Sequence, residues 1–222
     1  MKSTEAIQTI KSNVFDDDMI ERSLVNLRNL WKNYPKSRQL IQVEFGYVDT
    51  ILGCLKNADE GVAQNACHAL EVLLTPCSAR KQETLENLID LIVRHGGVAL
   101  LDAQIRTEGN LDIKKAALKV LCRLMRPETH HNVRESIQDE IKRLQLITFC
   151  TEQINRFPDN EVDEEVMVQL LELVGLAASG SKSLTKYIAE GGALNKIAVQ
   201  LSIVLEELNS STHNLQGNQL RI

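Results

Sequence analysis

Five cations crowd one short stretch of the chain: Lys114, Lys115, Lys119, Arg123 and Arg126. Lys115, Lys119 and Arg123 recur at i, i+4 and i+8, the spacing that sets side chains in one row along a helix. On a chain of formal net charge −5, such a row would attract acidic side chains or a phosphorylated segment. The competing account is a solvated helix face, with cations favourably placed near a helix C-terminus. Lys119 and Arg123 are expected to be exposed.

Other candidate chemistry is thinner. Cys67 and His68 are adjacent, but neighbouring helical residues point in different directions and would not form a nucleophile–base pair. Cys67 is expected in the core and His68 on the surface. His130-His131 lacks the i, i+4 histidine spacing or the cysteine and carboxylate company of a metal site. The acidic run Asp159, Glu161, Asp163, Glu164 and Glu165 lacks the central glycine and twelfth-position glutamate of a calcium loop. Acids before Val166, and Asp16 to Asp18 before Met19, instead suit helix starts, where the dipole favours negative charge. No GxxxxGK[ST] or GxGxxG occurs. Catalytic residues, cofactors and metal ligands are therefore predicted to be none.

The bulk composition agrees. Apolar residues make up 43% and aromatic residues only 4%, with Trp31 the single tryptophan, as suits stacked helices built from Leu, Ile, Val and Ala. The negative balance argues against a general nucleic-acid binder. Cys54, Cys67, Cys77, Cys122 and Cys150 are odd in number and form no CxxC pair, so free thiols in a reducing compartment are expected. The N-terminus shows no signal-peptide core, and no apolar run is long enough to span a bilayer. A cytoplasmic protein, or a nuclear one, without membrane contact is the expectation.

The elements that hold these residues repeat. Val62, Ala66, Leu70 and Leu73 form an i, i+4, i+8, i+11 stripe, one face of an α-helix. Ile113, Ala117, Leu121 and Leu124 repeat it 51 residues later, and Val166, Leu170, Val174 and Ala177 after another 53. Met19, Ser23, Leu27 and Leu30 make a fainter copy 43 residues before the first. Glycines at Gly46, Gly96-Gly97 and Gly191-Gly192 end short helices by taking a left-handed cap conformation. Each opens a second apolar helix: Val48, Ile51 and Leu55; Val98, Leu101 and Ile105; Leu194, Ile197 and Leu201. In the third unit Ile147, Cys150 and Ile154 keep the spacing without a glycine. Each unit thus reads as short helix, glycine turn, helix, loop, long helix.

Full units are placed at about 36–78, 84–126 and 130–180, with Lys2 to Tyr34 and Ser181 to Leu208 as half units. A single unit cannot bury its own apolar face, so stacking must make the core. The predicted core includes Leu27, Leu30, Ile51, Leu70, Leu73, Leu101, Leu121, Leu124, Leu170, Val174 and Ile197. One domain over 1–208 is expected, followed by a polar tail or linker over 209–222.

These residues resemble the armadillo repeat family. The carriers are the IxxxG or IxxGG helix endings and the third-helix pattern of Gly61-Val62-Ala63-Gln64-Asn65-Ala66-Cys67-His68-Ala69-Leu70, with Leu118 to Leu121 a looser match. The resemblance spans roughly residues 17 to 208 and implies an all-α, right-handed superhelix of about three three-helix repeats with two half-repeat caps. The period exceeds the family's, and the extra length is expected in loops around 107–110, 127–134 and 157–162.

The resemblance also implies a partner protein, held on a concave face lined by the third helices. The family's tryptophan and asparagine positions fall on Val25/Asn29, His68/Val72, Lys119/Arg123 and Glu172/Leu176, and only Asn29 keeps the family residue. A folded partner, or a short motif held by one repeat, therefore fits better than a long extended peptide. The implied groove comprises Asn29, Gln64, His68, Lys115, Lys119, Arg123 and Glu172. A scaffold or adaptor for a protein partner with an acidic or phosphorylated segment is the leading function. The alternative is a regulatory domain of a larger signalling or cytoskeletal protein, as in formins and regulators of small GTPases.

Overall fold

The computed structural model describes residues 3–13, 16–40, 46–76, 82–107, 109–126, 129, 131–156, 163–179 and 181–190, with single positions at 195, 198, 199 and 202. The helices are α1 (Ser3–Ser12), α2 (Asp17–Asn33), α3 (Tyr47–Cys54), α4 (Glu60–Leu74), α5 (Gln82–Arg94), α6 (Gly97–Arg106), α7 (Leu111–Leu124), α8 (His131–Arg143), α9 (Leu146–Asn155), α10 (Glu164–Ala178) and α11 (Lys182–Glu190), with a 3-10 helix over Pro35–Leu40. No strand occurs among the described residues.

Four of these helices start in the same way. Asp16, Asp59, Asn110 and Asp163 each cap a third helix, their side chains accepting from the amides of Met19, Val62, Asp112 with Ile113, and Glu165. An Asx side chain here satisfies amides that the helix itself cannot. The caps lie at the same offsets as the apolar stripes, so the repeat includes its own start signal.

The second helices begin alike. Gly46 and Gly96 precede α3 and α6 with φ of +60° and +74°, and Gln145 takes φ of +54° before α9. Third-unit geometry therefore matches the glycine corners although the residue is not glycine.

Packing follows this repetition. The helices α2, α4, α7 and α10 lie side by side in that order, and α3, α6 and α9 back onto α4, α7 and α10. Three full three-helix units result, flanked by α1–α2 at one end and α11 at the other. The stripes of α4, α7 and α10 are buried throughout, as are Val48, Ile51, Leu55, Val98, Leu101, Ile105, Ile147, Cys150 and Ile154. One contiguous core runs from Ala6 to Ile188.

Several sequence expectations need correction. The buried face of α2 is Ile20, Ser23, Leu24, Leu27 and Trp31, so Ser23 and Leu27 of the expected stripe are buried and Met19 and Leu30 are not. Met19 is 39% exposed and Leu30 half-buried. The repeat offset is right, since the α2 face aligns with Ala63, Cys67, Leu70 and Leu74.

The first helix of a unit is not short: α5 and α8 have 13 residues each, against six in the 3-10 helix of the first unit. Most of the longer period lies between the helices, in the intervals from α4 to α5, α7 to α8 and α9 to α10, and the longer α5 and α8 add the rest. Thr107 to Asn110 is a tight link, and Arg134 lies inside α8. The expected helix end at 41–45, Cys77, Pro127, His130, the segment 157–162, Gly180, Gly191-Gly192, Leu194, Ile197 and the tail from 209 to 222 lie outside the described residues.

Candidate partner-binding face

Because α2, α4, α7 and α10 stack in order, matched positions form rows across them. Val25, His68, Lys119 and Glu172 make one row; Asn29, Val72, Arg123 and Leu176 the next; Glu21, Gln64, Lys115 and Val168 a third. None of these twelve side chains is buried. Asn29 and Glu172 are exposed, while Gln64, His68, Lys115, Lys119 and Arg123 are half-buried. Val168 is 62% exposed, an apolar side chain in an otherwise polar row.

The basic row is not a set of free cations. Lys115 Nζ reaches Asp163 at 2.8 Å and Glu165 at 3.5 Å, and Lys119 Nζ reaches Glu165 at 2.6 Å. Arg123 pairs with Glu71 of α4 at 3.4 Å. The expected exposure of Lys119 and Arg123 is corrected accordingly: the side chains are 34% and 21% exposed and both are partnered. The row acts first as a clamp tying α7 to α10 and to α4, because the acidic start of α10 faces the lysines across the helix boundary.

Electrostatics record the pairing. The Lys115 ammonium holds Asp163 below the usual carboxylate range, and Lys119 does the same for Glu165. Glu71 is lowered first by its contact with His68, whose Nδ1 lies 3.7 Å away, and then by Arg123.

Two arginines that the sequence did not single out do the capping at the other end. Arg38 is buried and donates to the carbonyls of Trp31 at 2.9 Å, Val72 at 3.0 Å and Thr75 at 2.7 Å. Arg134 of α8 donates to the carbonyls of Leu176 at 3.1 Å and Ser179 at 2.8 Å. Those acceptors occupy matched positions in α4 and α10. Each guanidinium thus satisfies the orphan carbonyls at the end of a third helix. Gln138 adds a bond to the carbonyl of Ala177 at 3.2 Å.

Beside Arg38 the ends of α2 and α4 open into a cleft of about 420 Å³, which takes in Asn29 and His68 from the predicted groove. Arg28, Lys32 and Arg38 bring positive charge to it, and Glu71 is its one acid. Among the described residues Arg28 bonds only the side chain of Asn65, at 3.4 Å, and Asn65 in turn donates to Glu21 at 3.0 Å. Lys32 is exposed and has no ion-pair partner among the described residues.

The four described cysteines offer no reactive centre. Cys54, Cys67, Cys122 and Cys150 are free and buried, and burial pushes the first three thiols up to about 11, 12 and 12, and Cys150 up as well. Cys67 faces the core while His68 stands on the row, as expected. Among the described residues no cluster of metal-binding side chains occurs, and no helix is long and apolar enough to cross a membrane.

No family model matches the sequence, and no curated protein matches it significantly. Solved structures do match the fold. One is a designed armadillo repeat protein in complex with the peptide (KR)4, with TM-score 0.71 and 15% identity, covering 91% of this chain and 75% of that one. Another is a computationally designed armadillo repeat protein for modular peptide recognition, with TM-score 0.68 and 16% identity over 88% and 72%. An engineered protein matches with TM-score 0.69 and 18% identity over 87% and 69%. The fold is an armadillo-type all-α solenoid.

Proposed function

We propose that this armadillo-type chain is a non-catalytic scaffold that holds a partner protein along the face formed by α2, α4, α7 and α10. The observation that carries this is the set of rows on that face. Side chains of mixed chemistry, from Asn29 through Gln64, His68, Lys115, Lys119 and Arg123 to Glu172, stand partly open on a ladder whose backs are fully buried. A rigid support under adaptable polar contacts, with an exposed Val168 among them, suits docking of a protein surface. One structural neighbour is a designed armadillo repeat protein in complex with a peptide and another is designed for modular peptide recognition, which accords with a protein partner. Function does not follow from fold alone, so the rows carry the proposal.

The internal pairing of Lys115, Lys119 and Arg123 shapes the partner. A uniformly acidic segment would have to displace Asp163, Glu165 and Glu71 from their cations. The ladder therefore favours a partner of mixed polarity over α7 and α10, with acidic recognition confined to cations that lack carboxylate partners.

Photo-crosslinking tests the proposal in cells that express the protein. A photoreactive amino acid replaces Gln64, Val168 or Glu172 in turn, with Asn87 of α5 and Asp139 of α8 as exposed control positions. The same partner should crosslink from all three ladder positions and from neither control. Crosslinks confined to α5 and α8 would overturn the proposal.

A further inference from the structure

We propose that the cleft between the C-terminal ends of α2 and α4 binds a phosphomonoester carried on a side chain of the partner. This names the chemistry that a partner offers to one end of the ladder, and so rests on the use of that face.

Charge is the first reason. Along the ladder, each cation of α7 that faces the row is already committed: Lys115 to Asp163, Lys119 to Glu165 and Arg123 to Glu71. In the cleft the balance reverses. Its one acid, Glu71, is held by His68 and Arg123. Arg28 contacts only a neutral amide, and Lys32 no charged group at all among the described residues. Two positive charges thus face the cleft without a carboxylate, on a chain whose net charge is −5. A phosphomonoester carries about −1.5 to −2 at neutral pH, which matches them better than the single charge of a carboxylate.

Geometry is the second reason. The cleft of about 420 Å³ admits a phosphorylated side chain with room for its flanking backbone. Arg28 supplies a planar fork suited to two phosphate oxygens, and Lys32 a mobile point charge for the third. Asn29 lines the same cleft from the exposed side of α2 and makes no side-chain hydrogen bond among the described residues. The floor is stiff: the Arg38 guanidinium ties α2 to α4 through the carbonyls of Trp31, Val72 and Thr75. The spacing between Arg28 and the α4 wall is therefore set by the fold, which lowers the ordering cost of binding.

The test is titration of the full chain with N-acetyl-phosphoserine methylamide, followed by amide and side-chain NMR shifts. Parallel titrations use inorganic phosphate and N-acetyl-aspartate methylamide. Saturable shifts should be confined to Arg28, Asn29, Lys32, His68 and Val72, and the aspartyl probe should bind at least roughly ten-fold more weakly, the fold-change of one charge-assisted hydrogen bond. Arg28→Gln with Lys32→Gln should abolish saturation. Should that pair perturb folding, Lys32→Gln alone removes an exposed, unpartnered charge and should still weaken binding several-fold. Lys142→Gln, on the exposed side of α8 away from the ladder, should leave it unchanged.

Absence of saturable shifts, equal binding of the aspartyl probe, or unchanged binding in both cleft variants would each overturn the proposal. Small probes reach the cleft whether or not a protein docks along the ladder. A negative titration therefore leaves the crosslinking result standing, and the reverse holds too.

Discussion

Gly96 and Gly97 stand side by side at the α5–α6 corner, yet replacing each by alanine should cost different amounts for different reasons. Gly96 has φ of +74°, and a β-carbon built on it meets nothing within 4 Å. Its cost is backbone strain alone, about 1–2 kcal/mol for an L-residue in the left-handed region, offset by about 0.4–1 kcal/mol from the stiffer unfolded chain. A net loss of about 1 kcal/mol follows.

Gly97 has no positive φ, but its β-carbon would lie 2.5 Å from Ile92 Cγ2 and 2.7 Å from the Ile92 carbonyl oxygen. Ile92 is fully buried, so its methyl cannot swing away, and the carbonyl belongs to the last turn of α5. Relief requires moving one helix against another, which places the cost at the upper end of the overpacking range, about 3 kcal/mol. In a chain of this size a loss of 1 kcal/mol lowers Tm by about 2–4 °C. Calorimetry and urea midpoints should show Gly97→Ala losing roughly 9 °C against roughly 3 °C for Gly96→Ala. Equal losses, or a larger one for Gly96→Ala, would refute the assignment of one glycine to conformation and the other to space.

The remaining expectations use the same structure. Leu121→Ala removes a fully buried side chain from the middle of α7 and should cost about 2–5 kcal/mol by denaturant titration. Gln145→Gly relieves the one non-glycine residue with positive φ among those described and should stabilise by up to about 1 kcal/mol in the same assay. Asp163, Glu165 and Glu71 are held below the usual carboxylate range, so their contribution is full above that range and lost as pH falls through their lowered folded values. The unfolding midpoint should drop in acid, and less steeply in Asp163→Asn, which keeps the helix cap while removing the charge. Thiol labelling of native protein should leave Cys54, Cys67, Cys122 and Cys150 slow to react, since burial disfavours each thiolate; rapid stoichiometric labelling of any of the four would contradict its burial.

Helix identity and repeat offset were legible in the sequence because they rest on local physics. A helix turns 100° per residue, so a stripe such as Ile113, Ala117, Leu121 and Leu124 declares both the helix and its inward face without reference to anything distant. The aligned caps Asp16, Asp59, Asn110 and Asp163 carry the same register in the sequence. The exposure of Met19 and Leu30 was not available: both are as apolar as their matched residues, and their burial depends on which helices pack against α2.

The charges were beyond reach for the same kind of reason. Lys115 and Lys119 form a free basic row if α10 starts a few residues later or packs at another height. They become a clamp because Asp163 and Glu165, some 46 to 50 residues away, arrive at 2.8 Å and 2.6 Å. Arg38 and Arg134 were likewise ordinary surface candidates until packing aimed them at the carbonyl ends of α4 and α10. Coulomb energy and hydrogen bonding depend on distances of a few ångströms between helices, and those distances belong to the stacking of whole units rather than to any single segment.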